Sequence, residues 1–249
     1  MTKISGLGEN FYVDGYNISG DVGQIQNASC PMSPLEVTGI DKSAYERIGG
    51  KRDGAIQWES WFNDADGQVH AALSGLPTTN RYVTWAMSTS VGSIACSMRA
   101  LQIGYDPTLE ESGSLHMATS ASANGYAMEW GVLGTAGVRT DTEATAGTAL
   151  NFGAASDFGL QAYLHVFAFT GTDVTIKLQE SSNNSGDAYA DVTGGAFTEV
   201  TSAPFSERIA TAVDLTVEQY LKVVTVTTGG FSNLQFAVNI VRNSATPVF

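Results

Sequence analysis

The sequence has few of the residues from which metal sites, active sites and nucleic-acid interfaces are built. Its 249 residues include two cysteines, three histidines, and twelve lysines and arginines against twenty-five aspartates and glutamates. The net charge of −13 is spread along the whole chain, and no basic cluster is large enough to neutralise a run of phosphates. We therefore expect no tight binding to a nucleic-acid backbone, and an acidic surface that repels DNA.

The cysteines and histidines stand in no spacing that predicts a metal site. Cys30 and Cys96 are far apart, and we expect two buried free thiols. Residues 63–67 resemble part of a calcium loop, but Phe62 and Leu73 would then stand where oxygen ligands are needed. No i, i+4 pair of a helical metal site occurs among the histidines, which are His70, His116 and His165. The sequence therefore predicts no metal and no cofactor.

Motifs of nucleotide binding and nucleophilic catalysis are missing too. The sequence has no P-loop, no complete dinucleotide fingerprint and no Gly-x-Ser-x-Gly elbow. We expect no catalytic residue and no enzymatic activity. The first residues contain no apolar leader, and no apolar run is long enough to span a bilayer, so we also expect a soluble protein made in a cytoplasm.

The patterns that are present predict an all-β fold with one short helix. Glycine is abundant, at 27 residues, and short alternating apolar stretches are separated by turn residues. Asp14-Gly15 between two apolar stretches predicts a type I′ hairpin. The helix is predicted at residues 69–76, with Asp66 as N-cap and Pro77 as its end. The strand that precedes it is expected to bury one face, formed by Ile56, Trp58, Ser60 and Phe62.

A change of composition predicts two units. Residues 131–157 are rich in small residues and poor in aromatics, which is typical of a boundary. We expect a β-barrel or sandwich at residues 1–135 and a second β-sandwich at residues 136–249, whose strands have one wet face and one core face. Residues 19–34 are predicted to be a loop or arm. Residues 39–54, rich in charge and glycine, are predicted to be a long exposed loop or a protruding hairpin.

Several of these stretches occur together in a known family. The opening hairpin reads FYVDGYNIS, residues 35–63 join the strand LEVT to the charged stretch GIDKSAYERIGG and on to WFN, and the C-terminal unit contains IKLQESS, DVTGGAF and YLKVV. In these features the chain resembles the major tail tube proteins of long-tailed, siphovirus-like bacteriophages, above all those of actinobacterial phages. The resemblance extends to most of the chain.

The resemblance implies a structural virion protein that assembles in the host cytoplasm and resides in the phage tail. It implies homo-oligomeric rings, usually hexamers, whose joined sheets form a barrel around a lumen. Stacked rings would form a tube that contacts the tape measure and other tail proteins, and DNA would pass through without specific binding; no membrane takes part. The 1–135 unit would form the tube and the 136–249 unit its outer surface.

The resemblance also implies where copies meet. Residues 39–54 would be the contact between rings or subunits, and the 19–34 arm a second contact. The interface residues are then expected to be Lys42, Tyr45, Glu46, Arg47, Lys51, Arg52 and Asp53. A head-to-tail contact of this kind generates rings and filaments.

Two other functions compete with the tail tube. A capsid decoration protein would also be small and rich in strands, but would not polymerise alone. A receptor- or glycan-binding module would use the C-terminal sandwich, and exposed tryptophans there would favour it. All four tryptophans precede residue 131, which counts against that alternative; they are Trp58, Trp61, Trp85 and Trp130.

Overall fold

Strands dominate the computed structural model, which describes residues 6–75, 79–185 and 189–247. These residues form eighteen strands and one helix, α1 (Val69–Leu73). The predicted all-β class with one short helix is therefore confirmed. Every paired strand is antiparallel to its neighbours, and the described strands form open sheets without a closed barrel.

The first part of the chain contains ten strands, which carry all four tryptophans. In chain order they are β1 (Asn10–Val13), β2 (Tyr16–Asn17), β3 (Val22–Ser29), β4 (Met32–Glu36), β5 (Arg47–Arg52), β6 (Ala55–Trp61), β7 (Arg81–Ala86), β8 (Ile94–Leu109), β9 (Leu115–Ala123) and β10 (Glu129–Leu133). Residues 19–34 thus contain strands, and the predicted loop or arm there is wrong, because β3 pairs with β6 along its whole length.

The second part of the chain adds eight strands. They are β11 (Arg139–Asp141), β12 (Leu150–Asn151), β13 (Leu160–Gly171), β14 (Thr175–Ser181), β15 (Ala190–Ala196), β16 (Phe205–Ala210), β17 (Tyr220–Val226) and β18 (Phe231–Arg242). The largest sheet has twelve strands, with the path β16-β13-β18-β10-β8-β7-β1-β2 and branches through β9, β6 and β3 and through β11. A four-stranded sheet, β12-β17-β14-β15, is not hydrogen-bonded to it but packs against strands β13 and β18 through a shared hydrophobic cluster. Strands β4 and β5 form a separate two-stranded sheet.

The opening hairpin forms as the Asp-Gly pair predicts. Asp14 and Gly15 both have positive φ, at 50° and 81°, as a type I′ turn requires. Gly15 also lies against strand β16, where an added Cβ would stand 2.6 Å from the backbone nitrogen of Phe205. The turn therefore needs glycine both for its backbone angle and for the close approach of β16.

The N-terminus of the helix is capped by a different residue from the predicted one. Its N-cap is Gln68, which makes no side-chain cap, and the amide of Val69 instead donates to Asp21 Oδ2 at 3.2 Å. The prediction that Asp66 caps the helix is therefore wrong: the acceptor comes from a residue 48 positions earlier in the chain. The predicted end at Pro77 lies outside the described residues.

Two large hydrophobic clusters lie on either side of the predicted boundary. One, built around Trp58, uses buried residues between Phe11 and Met128; the other, built around Phe236, uses buried residues between Leu160 and Ile240. The twelve-stranded sheet nevertheless continues across the boundary, because β10 pairs with β8 on one side and β18 on the other. The division at residues 135 and 136 stays a prediction.

Strand β13 does not show the expected alternation of one wet face and one core face. All seven residues from Leu160 to Val166 are buried. One face packs into the second cluster, and the other carries Gln161, Tyr163 and His165 toward the first part of the chain. A strand that is covered on both faces has consecutive buried residues. Here the second face is covered by the first part of the chain, which the sequence of β13 alone does not indicate.

A chain of hydrogen bonds joins the two parts of the protein at His165. The amide of Gly15 donates to His165 Nδ1 at 3.3 Å, so the ring proton belongs on Nε2, which lies 2.8 Å from Thr84 Oγ1. The hydroxyl of Ser97 contacts Thr84 at 2.7 Å and accepts from Asn239 Nδ2 at 2.7 Å. Burial lowers the pKa of His165 from its ordinary 6.5 to about 3.

This buried histidine is expected to make the protein less stable in mild acid. The folded state keeps His165 neutral down to about pH 3, whereas the unfolded chain takes up a proton below 6.5, so stability present above pH 6.5 is lost as the pH falls. From pH 6.5 to 5, the free energy of unfolding should fall by about 1.6 kcal/mol in total through this residue, and the slope approaches about 1.4 kcal/mol per pH unit at the lower end of this range. Urea unfolding across this range should show a smaller pH slope for His165→Gln than for the control His70→Gln. Equal slopes would contradict the assignment.

Candidate assembly surface

The β4–β5 hairpin (residues 32–52) extends beyond the sheet as a continuation of β3 and β6. Asp53 N donates to Pro31 O at 2.9 Å where the ribbon leaves the sheet, and Val37 N donates to Glu46 O at 2.9 Å near its far end. Between these points Leu35 pairs with Ile48. Residues 39–54 were expected to be a long exposed loop or a protruding hairpin. The structure shows a hairpin with wider bounds, in which β5 is one strand and β4, before residue 39, is the other.

This hairpin leaves its apolar side chains in solvent. It belongs to neither large hydrophobic cluster, and its strands pair only with each other. A two-stranded hairpin without a packed face is marginally stable in water. Its exposed large apolar residues are Met32, Leu35, Val37, Ile40, Tyr45 and Ile48.

The seven residues predicted for the interface all lie on or beside this hairpin and are exposed. Lys42 lies between Asp41 and Glu46, at 3.7 and 3.6 Å, and the guanidinium of Arg47 stands 5.0 Å from the ring centre of Tyr45. The remaining three are Lys51, Arg52 and Asp53, at the base of the hairpin. Ion pairs this exposed contribute little to stability, so their charges remain available for a partner.

A second exposed cluster lies at the other end of β6 and was missed by the sequence analysis. The register pairs Ala55 with Ser122 near the hairpin and Trp61 with His116 at the far end, about 20 Å away for six residues of strand. There the loop after β6 meets the β8–β9 turn through a bond from Phe62 N to Leu115 O, at 3.1 Å. We call residues 59–68 and 103–116 the acidic end.

The acidic end combines one sign of charge with exposed apolar side chains. Its two segments contain six carboxylates and no lysine or arginine. Ile103 is 64% exposed and Leu109 72% exposed, and Trp61 and Phe62 are also exposed. Phe62 was expected on the buried face of its strand, but β6 ends at Trp61 and the chain turns. The sequence signal was weak because the two segments of the acidic end are far apart in the chain and meet only through the pairing of β6 with β9.

The acidic end also contains a hydrogen-bond chain that resembles a nucleophile, base and orienting carboxylate. Ser114 Oγ lies 2.6 Å from His116 Nε2, and His116 Nδ1 lies 2.7 Å from Glu59 Oε1. The nearest amides are already engaged, because Gly113 N donates to Glu110 O and Ser114 N to Ser112 Oγ. With those donors occupied, the geometry offers no oxyanion hole beside the hydroxyl, and we assign the chain of bonds to fixing the β8–β9 turn.

The two cysteines and the possible metal ligands form no reactive or metal-binding site in the described residues. Cys96 is buried, and burial raises the pKa of its thiol to about 12, which makes it unreactive. Cys30 is free as predicted but only half-buried. Across residues 6–75, 79–185 and 189–247, no group of three or more His, Cys, Asp or Glu could hold a metal ion. In the same residues no helix has the length and apolar character needed to cross a bilayer.

Fold and surface define an all-β protein with two exposed, partly apolar regions at opposite ends of strand β6. A chain in the solved structure of the phage P2 baseplate in its activated conformation with Ca is similar along 96% of this chain and 99% of its own length, with a TM-score of 0.33 and 7% sequence identity. No protein-family model and no curated protein matches the chain. Because that TM-score is low, the function proposed below rests on the surface and not on this likeness.

Proposed function

We propose that this chain is a structural virion protein that polymerises into the stacked rings of a phage tail tube. One observation carries the proposal. Of the fifteen large apolar side chains exposed in the described residues, six lie on the β4–β5 hairpin and four at the acidic end. Large apolar residues gathered in patches, and not scattered, mark surfaces that bind another protein.

The two regions differ from each other, which favours a head-to-tail contact. A self-complementary surface would produce a closed dimer, whereas two unlike surfaces at opposite ends produce rings or open filaments. Among the described residues the hairpin's strands pair only with each other and its apolar side chains are exposed, so contact with a neighbouring copy is the simplest way to bury them. This is the behaviour that a ring-stacking tube subunit requires.

Sheet edges provide the second contact that a ring needs. Within the described strands, β3 pairs only with β6 and β16 only with β13, so each has one open edge. An open edge accepts a strand from another chain. Joined edges of six copies would close a barrel around a lumen, which the open sheets of one chain do not form alone.

The charge of the chain fits a conduit for DNA. With a net charge of −13, a lumen lined by this protein would repel phosphates and let DNA slide through without binding. The partners in this proposal are further copies of the chain, the tape measure and other tail proteins, and the assembled protein resides in the virion. No step in this function requires a cofactor or a catalytic residue.

Sedimentation velocity of the purified chain over a hundredfold range of concentration tests the proposal. We expect a concentration-dependent shift from small species to very large ones with no upper limit in size. A discrete trimer or monomer at every concentration would contradict it and favour a capsid decoration protein. A monomer that binds cell-wall glycans would instead favour the binding-module alternative.

A further inference from the structure

The surface that receives the hairpin can be identified from charge and position. The hairpin, residues 32–52, contains four basic and three acidic residues, and its basic residues concentrate on strand β5, which from Arg47 to Arg52 carries three of them and no acidic one. The acidic end carries six carboxylates and no basic residue. A protein with a net charge of −13 offers few basic surfaces, so this strand is an exception to the overall charge. Opposite charges on two exposed apolar surfaces are the complementarity that fixes partner and register in protein interfaces.

The geometry places these surfaces where copies in a stack would meet. The hairpin leaves the sheet at Ala55, and the acidic end begins at Glu59 on the same strand, β6, and surrounds the strand's far end. A copy displaced along the direction of β6 therefore brings its acidic end toward the hairpin of the next. The hairpin is joined to one end of β6 and the acidic end surrounds the other, so each contact repeats the last and the stack can continue.

We infer that the β4–β5 hairpin docks on the acidic end of the next copy, with Arg47, Lys51 and Arg52 facing carboxylates that include Asp64, Glu110 and Glu111. The exposed apolar side chains of the two surfaces pack between these charges. The inference rests on the proposed function, since it names the two halves of the contact that stacks one ring on the next. The contact is expected to weaken as salt is raised, because its ion pairs lie near the surface.

Charge reversal on each surface tests the inference. The end-reversed variant changes the acidic end by Asp64→Lys, Glu110→Lys and Glu111→Lys. The hairpin-reversed variant carries Arg47→Glu, Lys51→Glu and Arg52→Glu. Each is expected to need at least about tenfold more protein to polymerise, because like charges then face each other. All six positions are exposed, so both variants should unfold thermally near the unmodified chain.

Mixing supplies the decisive comparison. When the two variants alternate in an equimolar mixture, each reversed hairpin meets a reversed acidic end and each native hairpin meets a native acidic end. Polymers should therefore form again near the concentration that the unmodified chain requires. A control with the same change of charge on the second part of the chain, Glu143→Lys, Glu199→Lys and Asp214→Lys, is expected to polymerise as the unmodified chain does.

The outcomes separate this inference from the proposed function. Recovery in the mixture, with both variants impaired alone, supports the docking. Normal polymerisation of the end-reversed variant, or no recovery in the mixture, overturns the docking. The tube proposal is then still supported if the unmodified chain polymerises. Failure of the unmodified chain to polymerise overturns both.

Discussion

Replacing Leu35 and Ile48 together by serine is expected to leave the protein folded and unable to polymerise. These side chains face each other across the β4–β5 hairpin, are 51% and 53% exposed, and belong to neither hydrophobic cluster. Their loss should therefore change the free energy of unfolding by less than about 1 kcal/mol. In the assembled state each should be buried, and losing both should cost about 3 kcal/mol per contact, a more than hundredfold rise in the concentration needed.

The control for this variant removes two exposed apolar residues elsewhere. Val213 and Val226 are 44% and 37% exposed in the second part of the chain, and Val213→Ser with Val226→Ser should polymerise normally. Thermal unfolding of both variants checks that the fold is kept, and pelleting or light scattering measures polymers. If the Leu35 and Ile48 variant polymerises at the same concentration as its control, the hairpin is not an assembly contact.

Replacing Arg208 by methionine is expected to destabilise the folded protein by about 3–5 kcal/mol, the usual cost of breaking a buried ion pair. Arg208 donates from Nε and Nη2 to the two carboxylate oxygens of Glu129, at 3.0 and 2.9 Å. Tyr163 also contacts this carboxylate, and the Arg208 guanidinium stands 4.0 Å from the ring centre of Tyr126. The pair joins β16 to β10, so the variant leaves a carboxylate almost buried in the sheet without its main partner.

Two comparisons check this reason. Adding Glu129→Gln to Arg208→Met should recover most of the lost stability, because the buried charge is removed as well. Lys177→Met breaks the more exposed pair with Asp191, which measures 2.7 Å, and should cost less than about 1 kcal/mol. Urea unfolding measures all three variants. A loss below about 1 kcal/mol for Arg208→Met would show that the network does not hold the two parts together.

The features that the sequence predicted correctly are local ones. The positive φ of Asp14 and Gly15 follows from the residue types alone, and the alternation of Ile56, Trp58 and Ser60 correctly identified the buried face of β6. In each case the deciding interaction acts between residues a few positions apart.

The features that were missed depend on residues far apart in the chain. Asp21 reaches the first turn of the helix from another strand, and no spacing in the sequence marks it as the cap. His165 is buried on what looks like a wet face because the first part of the chain packs over it. The acidic end is assembled from two segments only by the pairing of β6 with β9, so its charge could not be recognised as a surface. The β4–β5 hairpin, by contrast, is contiguous in sequence and was recognised.

The central claim is that this chain polymerises into a tube, and negative-stain electron microscopy of the unmodified protein tests it most directly. The account predicts hollow tubes or stacked rings of uniform diameter, whose number and length grow with protein concentration and which disappear when the whole hairpin, residues 32–52, is replaced by a short glycine-serine turn. Uniform single subunits or small closed oligomers at every concentration would contradict it.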